Sequence, residues 1–419
     1  MHYWDIHAGQ ITMVRLVREV RIFNVPVMMA TASMFTESSS NNARLLSKAA
    51  CIVVLIMLSS CGGRKNAYEQ IPRLHGTVLE SKRTMVELEK VQLDSVHCSG
   101  ESISGVTPSG RIFYYDIYFC WLYEFNTDGT LAGRYMGYGR GPEESMVKQC
   151  VLGSMSKDGE FALMGGSLDF EYFTKDHKVI NYFMITKSRD DSSPEDFLTY
   201  SNPVFDASAR LYDGKMYMGM TSDNPAFAYF FTNTEYLENS YRIGIVDLKS
   251  GEALPMAVKG FPSVYESDPY KYTSFDCVDF DIDNEGNMYL GFQADSSIYV
   301  FDKEFRPKFA FGVAGSAMDL SYNKIQTESD LPFFMENIET KGYYSRIEYI
   351  DETGICFRSY KKGSHAQYDG LQIYKDGDLI GDCEVPKSFK VMGYVAPYYY
   401  SQVFNGDDDG ELMMYRFRL

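Results

Sequence analysis

The chain has 419 residues, 45% of them hydrophobic and 15% aromatic, with a formal net charge of −17. That acidity excludes nucleic acid as a ligand, because phosphate backbones demand a basic footprint. The aromatics are 33 Tyr and 28 Phe against two Trp, a bias that suits pleated strands, where the ring packs on the sheet and the phenol reaches water.

The first sixty residues differ from the rest. Arg44 and Lys48 precede an apolar run, "AACIVVLIML" from Ala49 to Leu58, followed by "LSSCGG". The run is shorter than the roughly 20 residues of a membrane-spanning helix. Its order of basic start, apolar middle and small residues is that of a secretory signal. Leu58, Ser59, Ser60 and Cys61 resemble a bacterial lipobox, and the resemblance implies cleavage before Cys61 and lipid attachment to its thiol. The expected organisation is an upstream extension over residues 1–33 with Met34 as the true start, a signal peptide over 34–60, a lipidated tether over 61–72 and a folded body over 73–419. Residues 1–61 hold five of the chain's 40 basic residues and three of its 57 acids, leaving 35 against 54, a net of −19. Such a body has no electrostatic grip on anionic headgroups, so acyl chains at Cys61 are the expected membrane tether.

Six segments of the body share one pattern, a polar turn, a glycine and then alternating apolar residues: "PSGRIFYY" at Gly110, "KDGEFALM" at Gly159, "YDGKMYMG" at Gly214, "NEGNMYLG" at Gly286, "ETGICFRS" at Gly354 and "DDGELMMY" at Gly410. Each reads as a turn needing positive φ followed by a period-2 strand. A second hairpin signal follows several of them, as in "YEFNTDGTLAG", "GIVDLKSGEALP", "YVFDKEFRPKFAFG" and "QIYKDGDLIGD". Two hairpins per repeat mean four antiparallel strands, and four-stranded repeats of about 40 to 50 residues are the signature of propeller blades. The expected fold is all-β, a six-bladed β-propeller of four-stranded antiparallel blades, with the ring closed by N- and C-terminal strands. The last repeat has only one hairpin before the chain ends, so two alternating stretches within "HGTVLESKRTMVELEKVQLDSV" are expected to complete it and leave no open edge.

The lipobox, the six glycine turns and "GYGRGPEE" after the first blade together resemble the NHL-like and TolB-like six-bladed propeller lipoproteins of Bacteroidota. The common form of that string has a further glycine before the acid, and Glu143 occupies that place here. The resemblance implies a fold and an envelope location more than an activity. "CGGRKN" lacks the acids that follow the cysteine of surface-exported lipoproteins in such bacteria, so the expected location is the outer membrane, facing the periplasm rather than the cell surface.

"GYGRGPEES", residues 137–145, invites comparison with a phosphate-binding glycine loop, but Pro142, Glu143 and Glu144 follow where a helix and a neutral cradle are needed. It reads as a crossover between blades. Tyr138, Arg140 and Glu143 are the candidate ligand-binding residues, with Arg140 and Glu143 able to pair across the turn. "DIDNEGN" from Asp281 and "NGDDDGE" from Asn405 resemble calcium loops, but Phe292 and Arg416 stand where the bidentate Glu belongs, so both read as hairpin turns. No HExxH or GxSxG is present, and no catalytic residue, metal site or cofactor is predicted. The six cysteines after Cys61 have no CxxC spacing and read mostly as small buried residues. Tyr398, Tyr399 and Tyr400 read as core rather than as a sugar platform. The function expected is a ligand- or partner-binding module of the cell envelope, taking a glycan, a peptide or an envelope protein. The alternatives are a glycan- or peptide-directed hydrolase or lyase with a site at the channel, and a scaffold of an envelope complex.

Overall fold

The computed structural model describes residues 66–74, 86–147, 149–186, 193–203, 207–406 and 411–419. The signal, the proposed lipid site Cys61 and the region of Met34 lie outside the described residues.

Strands Ser102–Val106 (β2), Ile112–Asp116 (β3), Trp121–Phe125 (β4) and Leu131–Met136 (β5) form blade 1 as an antiparallel meander. Cys150–Met155 (β6), Phe161–Gly165 (β7), Asp169–Phe173 (β8) and Val179–Met184 (β9) form blade 2. Ala209–Tyr212 (β10), Lys215–Gly219 (β11), Tyr241–Asp247 (β12) and Glu252–Lys259 (β13) form blade 3. Blade 4 is Val278–Ile282 (β14), Met288–Phe292 (β15), Ile298–Phe301 (β16) and Pro307–Phe311 (β17), and blade 5 is Tyr343–Ile350 (β18), Ile355–Lys361 (β19), Asp369–Lys375 (β20) and Asp378–Val385 (β21). The first strand of each blade lies beside the first strands of both neighbours, so the six inner strands close a ring around an axis.

Blade 6 corrects the expected closure. The C-terminal part supplies three strands, Val391–Val395 (β22), Tyr398–Ser401 (β23) and Leu412–Phe417 (β25), with the short Phe404–Asn405 (β24) on β25. The N-terminal part supplies one, Glu89–Gln92 (β1), paired antiparallel to β25 from Glu89 opposite Arg416 to Gln92 opposite Met413. The closure is thus three strands plus one rather than two plus two. The glycine alignment slipped here: the first hairpin of blade 6 turns at Ala396–Pro397, whereas Gly410 belongs to the connection between β24 and β25 and lies outside the described residues.

Among the described residues, five of the six five-residue hairpin turns share one plan. Thr107, Ser156, Thr174, Asp283 and Asp302 each open a turn, and the side-chain oxygen accepts the backbone N–H four residues on. The residue before that N–H takes positive φ, as Gly110, Gly159, His177, Gly286 and Phe305. Polar side-chain capping and a left-handed residue are what such a turn requires. "DIDNEGN" is therefore a hairpin turn, as its sequence implied.

Because the strands alternate in direction, the connections within each hairpin lie on one face and all others on the opposite face. The first, the turn face, has links of two to five residues. The connection face carries long segments over blades 3 to 5, including helices Tyr229–Thr232 (α1) and Thr234–Asn239 (α2) in blade 3, Ser263–Ser267 (α3) between blades 3 and 4, and Pro332–Thr340 (α4) between blades 4 and 5. Asn337, fully buried in α4, holds that helix down by donating to Ser274 Oγ and Asn323 O and accepting from Asn323 N.

Apolar clusters fill the spaces between successive blades. Tyr399 packs in the cluster on one side of blade 6 and Tyr400 in that on the other, the core role expected of that run. The six cysteines after Cys61 form no disulfide among the described residues, and five of them are buried.

The stretch expected as a tether folds onto the body from residue 66. Asn66 donates to Phe261 O at 2.9 Å and to Glu266 Oε1 at 2.7 Å. Tyr68 is buried edge-on against Phe292 and Tyr299 and donates to Gly260 O at 3.1 Å. Arg73 pairs with Ala310 of β17 in a parallel bridge. An aromatic ring and a strand edge available on blade 4 explain why these residues are not free chain.

Candidate functional site

The "GYGRGPEES" loop joins blade 1 to blade 2, where the sequence puts it, and holds itself shut. Ser145 N donates to Gly137 O at 2.8 Å and Gly139 N to Ser145 O at 3.0 Å. The Glu144 carboxylate accepts Gly141 N at 2.8 Å and sits where a Cβ on Gly139 would come within 1.9 Å of it, so a larger residue at 139 would displace that carboxylate from the turn. Ser145 is fully buried and donates to Glu171 Oε2 at 2.6 Å, while Met146 N donates to the same oxygen at 3.0 Å. Burial raises the Glu171 carboxyl above its ordinary range despite these bonds. Val179 N donates to Pro142 O, which sets the loop against the outermost strand of blade 2 rather than at the channel. Tyr138, Arg140 and Glu143 are all exposed there. Among the described residues no ion pair joins Arg140 to Glu143, and the acid that ties the turn is Glu144.

Inside the ring, blades 3, 4 and 5 bring charges together. Arg210 Nε donates to Asp281 Oδ1 at 2.6 Å, Arg210 Nη2 lies 3.3 Å from Glu348 Oε2, and Arg346 Nη2 lies 2.8 Å from the same oxygen. Burial raises Glu348, with Asp281 adding to the shift and both arginines opposing it. The aspartates also accept backbone donors of the next blade: Asp281 Oδ2 from Tyr349 N at 2.7 Å, and Asp279 Oδ2 from Ile347 N. Carboxylates engaged in this way tie blade to blade, and they are not poised as an acid/base pair.

Beneath the helices lies Arg242, fully buried on β12. It donates to Asp276 O and to the Tyr236 hydroxyl, both at 3.1 Å, and its guanidinium sits 4.3 Å from the centre of the Phe261 ring. Tyr236 OH is 3.3 Å from Asp276 Oδ2, which Thr221 Oγ also engages. Burial raises the Asp276 carboxyl, and Arg242 opposes the shift. Arg358 on β19, also fully buried, donates to the carbonyls of Phe292, Asp295 and Ser296 and lies 3.6 Å over the Tyr344 ring. Both arginines fasten connection-face segments to the ring.

A different surface forms on the connection face of blade 1. His97 from residues 93–101, Phe119 from residues 117–120 and Trp121 at the start of β4 form an aromatic shelf, with ring centroids 4.9 Å apart for His97 and Phe119 and 5.1 Å for the stacked Phe119 and Trp121. The Arg134 guanidinium lies 5.0 Å over Trp121. Asp116, fully buried at the end of β3, builds the shelf: Oδ1 accepts Tyr118 N at 2.9 Å and Phe119 N at 2.8 Å, and Oδ2 accepts Ser99 N at 2.5 Å. One carboxylate thereby fixes two separate connections. Gly137 abuts the indole edge, since a Cβ there would lie 3.3 Å from Trp121 Nε1. The sequence offered one signal for this site, a lone Trp in a body rich in Tyr and Phe; the partners of Trp121 come from other connections and are not adjacent in the chain.

Among the described residues no group of three or more His, Cys, Asp or Glu side chains is placed to hold a metal ion, and no helix is long and apolar enough to cross a membrane.

No family model and no curated protein matches the sequence. Among solved structures the chain is similar to a member of the DUF4221 family from Bacteroides vulgatus, with a TM-score of 0.60 and 12% identity over 80% of this chain and 99% of that one. It is also similar to a Bacteroides fragilis protein described as exported, with a TM-score of 0.47 and 12% identity over 83% of this chain and 98% of that one. At 12% identity the likeness to the DUF4221 protein speaks for the fold alone, and the fold, as the sheets show, is a six-bladed β-propeller.

Proposed function

We propose that this protein is an exported binding module of the bacterial cell envelope, lipid-anchored through Cys61 to the outer membrane and facing the periplasm, like the NHL-like and TolB-like propeller lipoproteins it resembles. It takes its ligand or partner on the connection face. The inequality of the two faces carries this reading: tight turns close one side, while the other bears long segments fastened to a rigid ring, the usual arrangement of binding loops on a scaffold. Binding is favoured over hydrolysis because Asp279 and Asp281, the channel aspartates, are each engaged by the neighbouring blade. The signal-like order before Cys61 supports export.

Expression of the full chain in a Bacteroidota host with an alkynyl fatty acid tests the anchor. Label should enter the protein and be lost in Cys61→Ala; an unlabelled parent protein would overturn lipidation. Hydrogen exchange in the presence of fractionated envelope glycans and peptides tests the face. Protection should fall on residues 93–101, 137–145, 220–240, 260–277 or 312–342, and protection confined to the turn face would sink the assignment.

A further inference from the structure

We infer that the aromatic shelf of blade 1 is a binding site for an acidic glycan, with a sugar ring resting on Phe119 and Trp121 and its carboxylate meeting Arg134. This deepens the binding reading above and rests on it.

Three observations converge. First, the rings are available: His97 is exposed, Phe119 and Trp121 are half-buried, and the neighbouring Tyr118 is 66% exposed. The ring surface not used in their mutual stacking, with one polar group beside it, suits the flat C–H face of a pyranose better than a compact anion such as phosphate. Second, the rings are held in place. The three N–H groups on Asp116 fix the Phe119 and Ser99 backbones, and the Tyr123 hydroxyl donates to His97 O at 2.7 Å. A buried carboxylate serving two connections, with Trp121 packed at the margin of the apolar cluster between blades 6 and 1, gives the rings the fixed geometry a binding platform needs. Third, the charge is of the opposite sign to the chain as a whole. Arg134 is exposed, lies over Trp121 and forms no ion pair with any carboxylate among the described residues, on a protein of net charge −17. A guanidinium offers two parallel donors that match a carboxylate. Gly137, the first residue of the glycine string, lies against the indole edge of this site.

The chain's two Trp are Trp4 and Trp121, so in protein lacking the leader Trp121 alone reports by fluorescence. The test is a glycan array spanning plant, mucin and bacterial polysaccharides, probed with fluorescently tagged protein, followed by titration of Trp121 emission with the acidic oligosaccharides retained. The parent protein should retain uronate- or sialate-bearing glycans. Phe119→Ala and Arg134→Gln should each weaken them by about tenfold or more, as loss of a stacking face or a charge-assisted hydrogen bond implies. Arg134 is exposed, so a loss of binding by Arg134→Gln at unchanged melting temperature separates recognition from folding. Retention of neutral glycans alone, of acidic glycans equally by Arg134→Gln, or of none, overturns the assignment. In the last case, peptide-dependent protection elsewhere on the connection face would leave the binding-module reading standing.

Discussion

Around blades 3, 4 and 5 the inner strands are joined by polar groups: Arg210 of blade 3 reaches Asp281 of blade 4, and Asp279 and Asp281 accept N–H groups of blade 5. Around blades 6, 1 and 2 they are joined by close approach. A Cβ on Gly393 would lie 2.6 Å from Val106 of blade 1, and one on Gly153 would lie 2.7 Å from Ile103. The charged half also carries the helices and both fully buried arginines, whereas the close-packed half carries the ring closure and the aromatic shelf. Charge in this molecule accordingly marks where added segments are fastened. The surface open to a ligand lies where the ring is built most simply.

The largest effect should come from the closure. Deleting residues 411–419 removes β25, the only strand between β23 and β1, and so frees an edge on each side. We predict loss of the cooperative thermal transition for the whole ring; a truncated protein melting like the parent would show that the half-ring of blades 3 to 5 is stable alone.

Next is Arg242→Leu, which leaves the Asp276 carbonyl and the Tyr236 hydroxyl without their buried donor. Each buried polar group left unsatisfied costs about 1–3 kcal/mol, and denaturant unfolding should show it. Proteolysis should then speed up within residues 220–277 before blade 1 is cut. Uniform cleavage would mean that the two halves do not differ in how they are fastened.

The smallest effect concerns His177, in the last turn of blade 2. Burial lowers its pKa, while Glu124, with Oε1 3.9 Å from Nε2, pulls the other way. The unfolded chain therefore takes up this proton first as pH falls through about 6.5. The stability His177 contributes is present above that value and lost as pH falls through its lower folded pKa. His177→Asn, which tolerates the positive φ of 61° at this position, should lose less melting temperature than the parent protein between pH 7.5 and 5. Equal losses would count against the group.

The blades were legible in the sequence because each turn advertises its chemistry locally: an oxygen-bearing side chain, then a residue able to take positive φ. The same local chemistry caused the slip at Gly410, since a polar, glycine-bearing stretch between second and third strands looks no different in one dimension from a turn between first and second. His177 and Phe305 show the converse, taking the glycine conformation without glycine. The site was less legible. Gly137 to Ser145 were placed correctly at the join, yet His97, Phe119 and Trp121 meet only because Asp116 draws two connections together. The channel charges come together from three separate inner strands, and no spacing announces that. The docking of residues 66–74 was hidden because it depends on an aromatic slot and a strand edge on blade 4.

That docked segment also decides where a mechanical load enters the protein. A pull on the chain upstream of Asn66 is met first by the wedged ring of Tyr68, and then in shear by Ala310 N donating to Pro72 O and Leu74 N donating to Ala310 O. Only after these yield does the force reach β1, the strand that closes the ring. The N-terminal lead therefore works as a strain relief: tension on the chain before Asn66 is borne by blade 4, and the seam at blade 6 is spared.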